Sequence, residues 1–238
     1  MVIKTSSQPY GITTQSGVRL IPPIEGIDLP DTLFGVRVMD WALPKEGEAH
    51  LMVNPWLDRL SRVHPATPLV LYVPMVLSLI WRGLILHGLS VSHVLAWMLA
   101  GIFFWTFAEY SLHRGFFHFT PRSKLSLVLA YLIHGVHHAY PDDDRKLVMP
   151  PVFSLPVGFL FYGLFIVLMG RAYGDVFHAG FLLGYLCYDM THYLVHAVPM
   201  RNHWGIAIKK NHMLHHFQMP NRRYGVSNTF WDYIFQTR

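Results

Sequence analysis

The chain has 238 residues, of which 52% are hydrophobic and only 14% are charged. Ordinary soluble domains carry about 25% charged residues, so this composition excludes a typical soluble protein and favours several membrane spans. The net charge of +5 is modest, and no basic block with interleaved aromatic residues points to nucleic-acid binding. The single Cys187 excludes an internal disulfide and a thiolate metal site.

The first part of the chain has no long apolar run. Residues 1–65 contain scattered Pro, Gly and Ser, and the start lacks the apolar core of a cleaved signal peptide. We therefore expect a cytoplasmic N-terminal segment over 1–65, lying on the membrane surface with short helices near Leu33–Trp41 and Pro55–Val63. A membrane-embedded domain is expected over 66–238.

Four apolar runs follow, and each approaches the roughly 20 residues that a spanning helix needs. They are Thr67–Leu86, His93–Leu112, Val152–Met169 and Val176–Leu194. Only a few residues separate the first run from the second, and the third from the fourth, which predicts two helical hairpins. Arg82, beside Trp81, is expected to extend to the opposite interface as a flexible anchor.

The positive charges are distributed unevenly around these runs. Except for Arg82 and Arg171, every Lys and Arg lies before the first run, between the second and third, or after the fourth. The positive-inside rule therefore places both termini and the middle connector in the cytoplasm. We expect a multi-pass protein, in the endoplasmic reticulum membrane of a eukaryote or the inner membrane of a bacterium.

Ten of the 16 histidines fall into four clusters at the predicted cytoplasmic ends of these runs. The clusters are His113 with His118, His134 with His137 and His138, His192 with His196, and His212 with His215 and His216. Residues three or four apart share a helix face, whereas the five-residue spacing of His113 and His118 suggests a helix end that loosens.

Ten imidazoles exceed the needs of one metal ion and suit two ions with about five nitrogens each. Zinc, copper, iron and nickel all accept such ligands. The predicted fold is an all-α membrane protein with about four transmembrane helices in two hairpins and a cytoplasmic histidine-rich dimetal cap. The other six histidines have no cluster partner and are expected at surfaces or interfaces: His50, His64, His87, His93, His178 and His203.

Two carboxylates lie within the apolar runs close to these histidines. Glu109 precedes His113 by four residues, and Asp189 precedes His192 by three. A metal-bound imidazole usually donates its second N–H to a carboxylate or a carbonyl, so both acids are expected to orient a ligand imidazole. An interfacial charge at a helix end is the alternative, and it suits Glu109 better than Asp189.

Several stretches of the last 140 or so residues resemble the fatty acid hydroxylase/sterol desaturase superfamily, and within it the fatty acid 2-hydroxylases. Besides the histidine boxes, they are Glu109-Tyr110-x-Leu112-His113-Arg114, Arg145-x-Leu147-Val148-x-Pro150-Pro151, Gly184-Tyr185, Tyr188-Asp189-x-x-His192-Tyr193, Tyr224-Gly225-Val226-Ser227 and Trp231-Asp232. The resemblance implies a membrane di-iron monooxygenase that uses O2 and electrons from cytochrome b5 to hydroxylate C2 of a long acyl chain, free or in a sphingolipid. Its metal centre would consist of two Fe ions held by the ten clustered histidines, although zinc could replace iron in a purified protein.

Two departures from the superfamily stand out. Ala197 follows His196 where relatives often have a further histidine, and no His-Pro-Gly-Gly haem motif precedes the first run. We therefore expect electrons from a separate electron-transfer protein. Tyr188 and Tyr193 are candidates to hydrogen-bond the polar end of a membrane lipid substrate, although interfacial packing explains them equally well. The stretch from Tyr224 to Trp231 is expected to cover the entrance to the site.

Three other functions compete with this interpretation. Another oxygenase of the superfamily would act on a sterol, a carotenoid or an ether lipid. A zinc-dependent membrane hydrolase is disfavoured because the chain has no His-Glu-x-x-His motif. A metal transporter would carry its ligands along the interior of the helices, whereas here the clusters lie at one predicted face only.

Overall fold

The protein is described by a computed structural model that covers residues 12–13, 19–20, 32–37 and 44–238. The regular secondary structure of this part is helical apart from one short antiparallel pair, in which β1 (Ile12–Thr13) runs beside β2 (Arg19–Leu20). Residues 32–37 form a tight turn with Phe34 and Gly35 at positive φ. The helix predicted near Leu33–Trp41 is therefore wrong over 33–37, and its last residues lie outside the described part.

Eight α-helices are present in the described residues, joined in places by single wider turns. The helices are α1 (Pro55–Leu60), α2 (Thr67–Trp81), α3 (Val91–Leu112), α4 (Lys124–Ala130), α5 (Val136–Ala139), α6 (Pro151–Ala197), α7 (His203–Phe217) and α8 (Phe230–Ile234). Five-residue π-helical turns cover Arg82–Leu86, His113–Phe117 and Tyr131–Gly135, and a 3₁₀ turn covers Asp144–Lys146. The helix predicted near Pro55–Val63 is confirmed as α1, where Asn54 accepts a hydrogen bond from the Trp56 amide at 2.9 Å.

Three helical segments are long and apolar enough to cross a membrane: Thr67–Leu86, Val91–Phe117 and Asp144–Ala197. The third contains α6, which folds back on itself at Gly170, where φ is +74° and ψ is 168°. The rings of Phe161 and Phe181 lie 4.8 Å apart, although 20 residues of straight helix would separate them by about 30 Å. The two halves of α6 are therefore antiparallel neighbours joined by one glycine that adopts a left-handed conformation.

The second half of α6 packs along α3 at very short range. A Cβ at Gly180 would lie 2.0 Å from the carbonyl oxygen of Met98, and a Cβ at Gly101 would lie 2.1 Å from that of Phe177. Only glycine permits this approach of two backbones, which is the usual way for helices to associate closely in a membrane. Buried aromatic rings, including Trp105, fill the space beside the crossing.

The end of the bundle near Gly170 is joined by a buried ionic network. Asp175 is fully buried, and one of its oxygens accepts hydrogen bonds from Arg82 Nε at 2.8 Å and contacts His87 Nε2 at 2.9 Å. The hydroxyl of Tyr162 donates to the other oxygen at 2.7 Å. The prediction that Arg82 is a flexible anchor is therefore wrong. His178 is also buried, at 2% exposure, rather than at a surface or interface as predicted.

At the opposite end, α4, α5, α7 and α8 form a cap over the ends of α3 and α6. Residues of the N-terminal segment pack on this cap through a second apolar core that includes Leu33, Leu51, Leu127 and Tyr131. Two backbone hydrogen bonds fasten the segment: Lys45 donates to the carbonyl of Ala139 at 2.7 Å, and Val63 donates to that of Arg145 at 3.1 Å. The segment thus covers one side of the cap. On that side, residues of the segment and several histidines line the same cavity.

Candidate metal centre

The ten clustered histidines converge in the cap as two groups of five. Group 1 consists of His113, His118, His134, His138 and His215, and group 2 consists of His137, His192, His196, His212 and His216. Within each group the facing nitrogens all lie within 4.8 Å of one another. None of the other six histidines, all of which are described, belongs to either group.

The five-residue spacing of His113 and His118 is accommodated by a π-helical turn. The backbone N–H of His118 donates to the carbonyl of His113 at 3.1 Å, and the two rings lie 4.9 Å apart. A π-turn widens the helix by one residue, so positions five apart share a face. The sequence suggested a loosened helix end here, whereas the backbone remains hydrogen-bonded and places both imidazoles in group 1.

Each of the two His-x-x-His-His boxes contributes imidazoles to both groups. In the α5 box, His134 and His138 enter group 1 while His137 enters group 2. The α7 box is divided the other way, since His212 and His216 enter group 2 while His215 enters group 1. The groups meet where the rings of His138 and His216 stack with centroids 4.1 Å apart.

Backbone carbonyls fix the orientation of several of these rings, and three of them share one pattern. His113 Nδ1 donates to the carbonyl of Tyr224 at 2.5 Å, His215 Nδ1 donates to that of Arg222 at 2.6 Å, and His192 Nδ1 donates to that of Leu147 at 2.7 Å. Because a carbonyl only accepts, the proton of each neutral ring is on Nδ1, and the Nε2 lone pair points into its group.

The inward Nε2 atoms approach one another closely. The Nε2–Nε2 distance is 3.1 Å between His113 and His134, and 2.8 Å between His192 and His137. Lone pairs directed at one point are the arrangement that a cation requires, and imidazole nitrogen suits iron as well as zinc. The donor set therefore fits one transition-metal ion in each group.

Burial keeps the imidazoles of the cap in the neutral form that binds metal. It lowers the pKa of His134, His137, His138, His212 and His216 well below the usual value, and the neighbouring imidazoles lower it further. Burial also lowers the pKa of His215 to about 4, against an opposing contribution from its hydrogen bond to Arg222. At neutral pH these rings are uncharged and able to coordinate.

Neither predicted carboxylate contacts an imidazole of the groups. Glu109 Oε1 accepts hydrogen bonds from the amides of Val226 and Ser227, both at 2.8 Å, and Oε2 accepts from the Ser227 hydroxyl. Asp189 Oδ1 accepts from the amide of Met149 at 3.2 Å. The expectation of direct contact is wrong because backbone carbonyls already occupy the Nδ1–H groups of His113 and His192. Each acid instead holds the loop that provides the carbonyl.

Asp232 is the functional residue that the sequence reasoning did not assign. It is fully buried and accepts hydrogen bonds from the amides of Tyr224 at 2.9 Å and Gly225 at 2.8 Å, and from the Thr237 hydroxyl at 2.8 Å. The loop that it holds supplies both carbonyls for group 1. The only signal in the sequence was its place in the Trp231-Asp232 stretch of the superfamily pattern.

The loop that begins at Tyr224 was also expected to cover the entrance. Its first residue, Tyr224, lies instead behind His113 and orients that ring through its carbonyl, while the carbonyl of Arg222, just before the loop, orients His215. The cover over the cavity comes from the N-terminal segment, because Leu51, Leu57 and other residues of that segment line the cavity.

A cavity of about 300 Å³ reaches both groups, since His134, His137 and His192 line it. Its other polar lining includes Lys146, whose Nζ donates to the carbonyl of Ser61 at 3.1 Å and to its hydroxyl at 2.6 Å. A second cavity of about 160 Å³ lies between α2, α3 and α6 and is almost wholly apolar. Tyr188 lines both cavities, whereas Tyr193 lines neither of these two.

The sequence profile of the family described as fatty acid hydroxylase matches residues 98–237. The dihydroceramide fatty acyl 2-hydroxylase FAH1 of Arabidopsis thaliana is 33% identical over 81% of this chain and 81% of its own length. The fatty acid 2-hydroxylase of Homo sapiens is 40% identical over 58% of this chain, which covers 38% of that protein.

A solved structure shares the fold. The hydroxylase domain visible in full-length scs7p superimposes with a TM-score of 0.76 at 30% identity, covering 80% of this chain and 73% of that one. The ceramide very long chain fatty acid hydroxylase SCS7 of Saccharomyces cerevisiae is 32% identical over 81% of this chain, which spans half of that protein. The match to the profile covers more than half of the chain and includes all ten histidines of the two groups, so the chain belongs to the fatty acid hydroxylase family.

Proposed function

We propose that this protein hydroxylates C2 of long-chain fatty acyl groups, with an N-acyl sphingolipid as the favoured substrate. The observation that carries the proposal is the pair of five-imidazole groups at the wall of a cavity that continues into an apolar space between the helices. Family membership and the names of its relatives support the same reaction. The reaction converts the acyl C–H, O2, two electrons and two protons into C–OH and water.

Two iron ions are the proposed metals, one in each group. Iron would supply the oxidising power that breaks an unactivated C–H bond, which redox-inactive zinc cannot do. The chain's own contribution is to hold ten neutral imidazoles at fixed orientations. Because imidazole does not discriminate strongly against zinc, the purified protein is expected to accept zinc in the same positions without activity.

The polar side of the larger cavity suits the carbonyl end of the substrate. Lys146 and Ser61 bring an ammonium and a hydroxyl to the wall that also contains His137 and His192. We propose that the remaining N–H of Lys146 donates a hydrogen bond to the acyl carbonyl and so fixes C2, the adjacent carbon, beside the metals. Tyr188 lies at the junction of the two cavities and would contact the first carbons of the chain. Tyr193 is a less favoured candidate, since it lines neither cavity.

We further propose that the protein crosses the membrane four times with both termini and the histidines on the cytoplasmic side. The fold-back of α6 at Gly170 and the charge asymmetry support this topology. Ser90 and Arg171, each at the turn of a hairpin, should accept a membrane-impermeant thiol reagent only from the non-cytoplasmic side after substitution by cysteine. Labelling of either position from the cytoplasm contradicts the topology. The endoplasmic reticulum is the proposed membrane in a eukaryotic cell, and the inner membrane in a bacterium.

The two electrons would come from a separate carrier protein such as cytochrome b5, acting from the cytoplasmic side. The decisive measurement is ¹⁸O2 labelling in membranes supplied with cytochrome b5, its reductase and NAD(P)H. One ¹⁸O atom is expected at C2 of the acyl chain. Label only on sterol or carotenoid products would contradict the proposal.

A pair of histidine variants tests whether the metal centre forms the hydroxylated product. His137→Ala removes a group 2 nitrogen that also faces the cavity, and it should abolish the labelled product. His203→Ala is the control, because His203 is exposed and lies outside both groups. Metal analysis should give close to two ions per chain for the control. Equal activity of the two variants would exclude a catalytic role for group 2.

A further inference from the structure

One imidazole of group 2 reaches the outer surface of the cap. Four of the five rings in this group are buried, whereas His196, near the end of α6, is half-buried. Its Nε2 atom faces the interior of the group, 2.8 Å from Nε2 of His212, and its ring also donates a hydrogen bond to the carbonyl of Pro141. A single ring therefore separates the interior of group 2 from the surface.

A shallow concavity of about 550 Å³ lies beside His196. The chain that follows α6 contributes Val198 and Met200 to its lining, and α7 contributes Ile206. Two of these side chains are open to contact, since Val198 is 39% exposed and Ile206 is 48% exposed. Apolar side chains at the centre of a charged surface are typical of sites where a protein partner binds.

Positive charges surround this concavity. Lys209 and Lys210 both line it, and the Lys209 ammonium donates a hydrogen bond to the carbonyl of Val198 at 3.1 Å. Arg201, in the link between α6 and α7, is exposed. No carboxylate of the described residues lines the concavity, and one exposed acid, Asp142, follows the proline that contacts the imidazole. Three cations against one acid leave the surface positive. We call it the basic face, and it consists of His196, Val198, Met200, Arg201, Ile206, Lys209 and Lys210.

The half-buried ligand of group 1, His118, has a different surrounding. The cavity beside it has a volume of only about 20 Å³, and apolar side chains such as Phe119 make most of its wall. Neither Lys nor Arg is among the described residues that line it. Arg122 and Lys124 are exposed on the cap a few residues further along the chain. A charged partner therefore finds complementary charge next to a ligand ring at His196 and not at His118.

We propose that the basic face docks an acidic one-electron carrier protein, which thereby comes into contact with the edge of His196. Each carrier molecule would lose one electron, and two in succession would supply the two electrons that the proposed reaction consumes with O2 and two protons. A small contact steered by charge suits this exchange, because the oxidised carrier must leave before the next one binds. The inference rests on the proposed function for the use of the electrons, whereas docking can be measured without turnover.

The binding test uses the purified protein in phosphatidylcholine nanodiscs and the soluble domain of cytochrome b5 as the acidic carrier. A carbodiimide joins an ammonium to a carboxylate in direct contact, so it should connect Lys209 or Lys210 to the carrier, as located by mass spectrometry. The dissociation constant should rise at least about tenfold between about 50 and about 300 mM NaCl, because salt screens the attraction. Cross-links confined to other lysines, or an affinity independent of salt, would overturn the proposal.

Charge reversal on two surfaces of the cap gives a matched pair of variants. Lys209→Glu combined with Lys210→Glu should weaken carrier binding at least about tenfold, with metal content unchanged. Arg122→Glu combined with Lys124→Glu makes the same change of charge near His118 and should bind like the wild type. Equal weakening in both double variants contradicts the proposal. If the first double variant does not fold, Lys210→Glu alone decides the question, since it retains the hydrogen bond of Lys209 and should still weaken binding about threefold.

Contact of the basic face with lipid head groups is the alternative, and the same nanodiscs test it. A water-soluble amine reagent should modify Lys210 equally in nanodiscs and in detergent, and added carrier should protect this lysine. Protection by the nanodisc without any carrier would show that the face lies on the membrane, and it would contradict docking.

The binding and catalytic readouts separate the two proposals. Salt-dependent binding at the basic face without a C2-hydroxylated product would contradict the proposed reaction and retain the docking face. A C2-hydroxylated product with unweakened binding in the double lysine variant would retain the reaction and contradict the docking face.

Discussion

Replacement of Asp232 by asparagine should weaken one of the two histidine groups and spare the other. Asp232 accepts hydrogen bonds from the amides of Tyr224 and Gly225 on separate oxygens, and it is fully buried. An asparagine retains one oxygen, so one of the two amides faces an NH2 group and loses its acceptor. An unsatisfied buried donor costs about 1–3 kcal/mol, which we expect to displace the loop.

The displaced loop carries the carbonyl groups of Arg222 and Tyr224, which orient His215 and His113. Both histidines belong to group 1, whereas His192 of group 2 uses the carbonyl of Leu147 in a different loop. Loss of an orienting partner typically lowers metal affinity by about 10- to 100-fold. Asp232→Asn should therefore lower the affinity of group 1 by that factor and leave group 2 unchanged.

The assay is metal release from the purified protein against a series of chelator concentrations, followed by elemental analysis. The wild type should retain close to two ions per chain until high chelator concentration, whereas Asp232→Asn should show a plateau near one. Asp144→Asn is the control, since Asp144 is exposed and remote in sequence from the loop. Equal weakening of both ions, or release identical to the wild type, would refute the positioning role of Asp232.

Three further predictions concern other parts of the molecule. Asp189→Ala should weaken the ion of group 2 rather than that of group 1, by about 10- to 100-fold in the same chelator series, because it removes the oxygen that accepts from the Met149 amide in the loop that orients His192. Arg82→Ala should destabilise the protein by about 1–3 kcal/mol, because the buried carboxylate of Asp175 loses the guanidinium group that pairs with it. A thermal scan should give a Tm lower by roughly 5 °C. The metal-free protein should lose stability as the pH falls from 7 towards 4. The pKa of His215 is about 4 in the folded state and about 6.5 when unfolded, so the unfolded chain takes up protons first. A Tm that is constant over this range contradicts the neutral state of the buried rings.

The apolar runs were predictable because the helices keep an apolar surface on their lipid-facing side as well as their buried side. Leu99 and Val167 are 65% and 82% exposed, and both belong to apolar runs that can be recognised in the sequence. The turn at Gly170 was less predictable. The sequence suggested a loop between Met169 and Val176, but a single residue with positive φ reverses the chain and lets both helices continue.

Residues whose role depends on a distant partner could not be assigned from the sequence. Arg82 looked like a flexible anchor because its partner, Asp175, is 93 residues away and lies in another hairpin. Glu109 and Asp189 were correctly singled out as costly carboxylates within apolar runs. Their sequence spacing suggested contact with a histidine on the same helix face. In the structure they instead accept hydrogen bonds from backbone amides of other segments.

The division of the histidine boxes follows from helix geometry once the two boxes face each other. Successive residues of an α-helix are rotated by about 100°, so the first and last positions of His-x-x-His-His differ by about 40°, while the fourth position lies about 60° to the other side of the first. His134 and His138 therefore point to one group and His137 to the other, and the same rule separates His212 and His216 from His215. Two facing helices with this pattern create two centres, each with two nitrogens from one box and one from the other. The remaining two nitrogens of each group come from the ends of α3 and α6, so the metal centre can form only after both hairpins have packed under the cap.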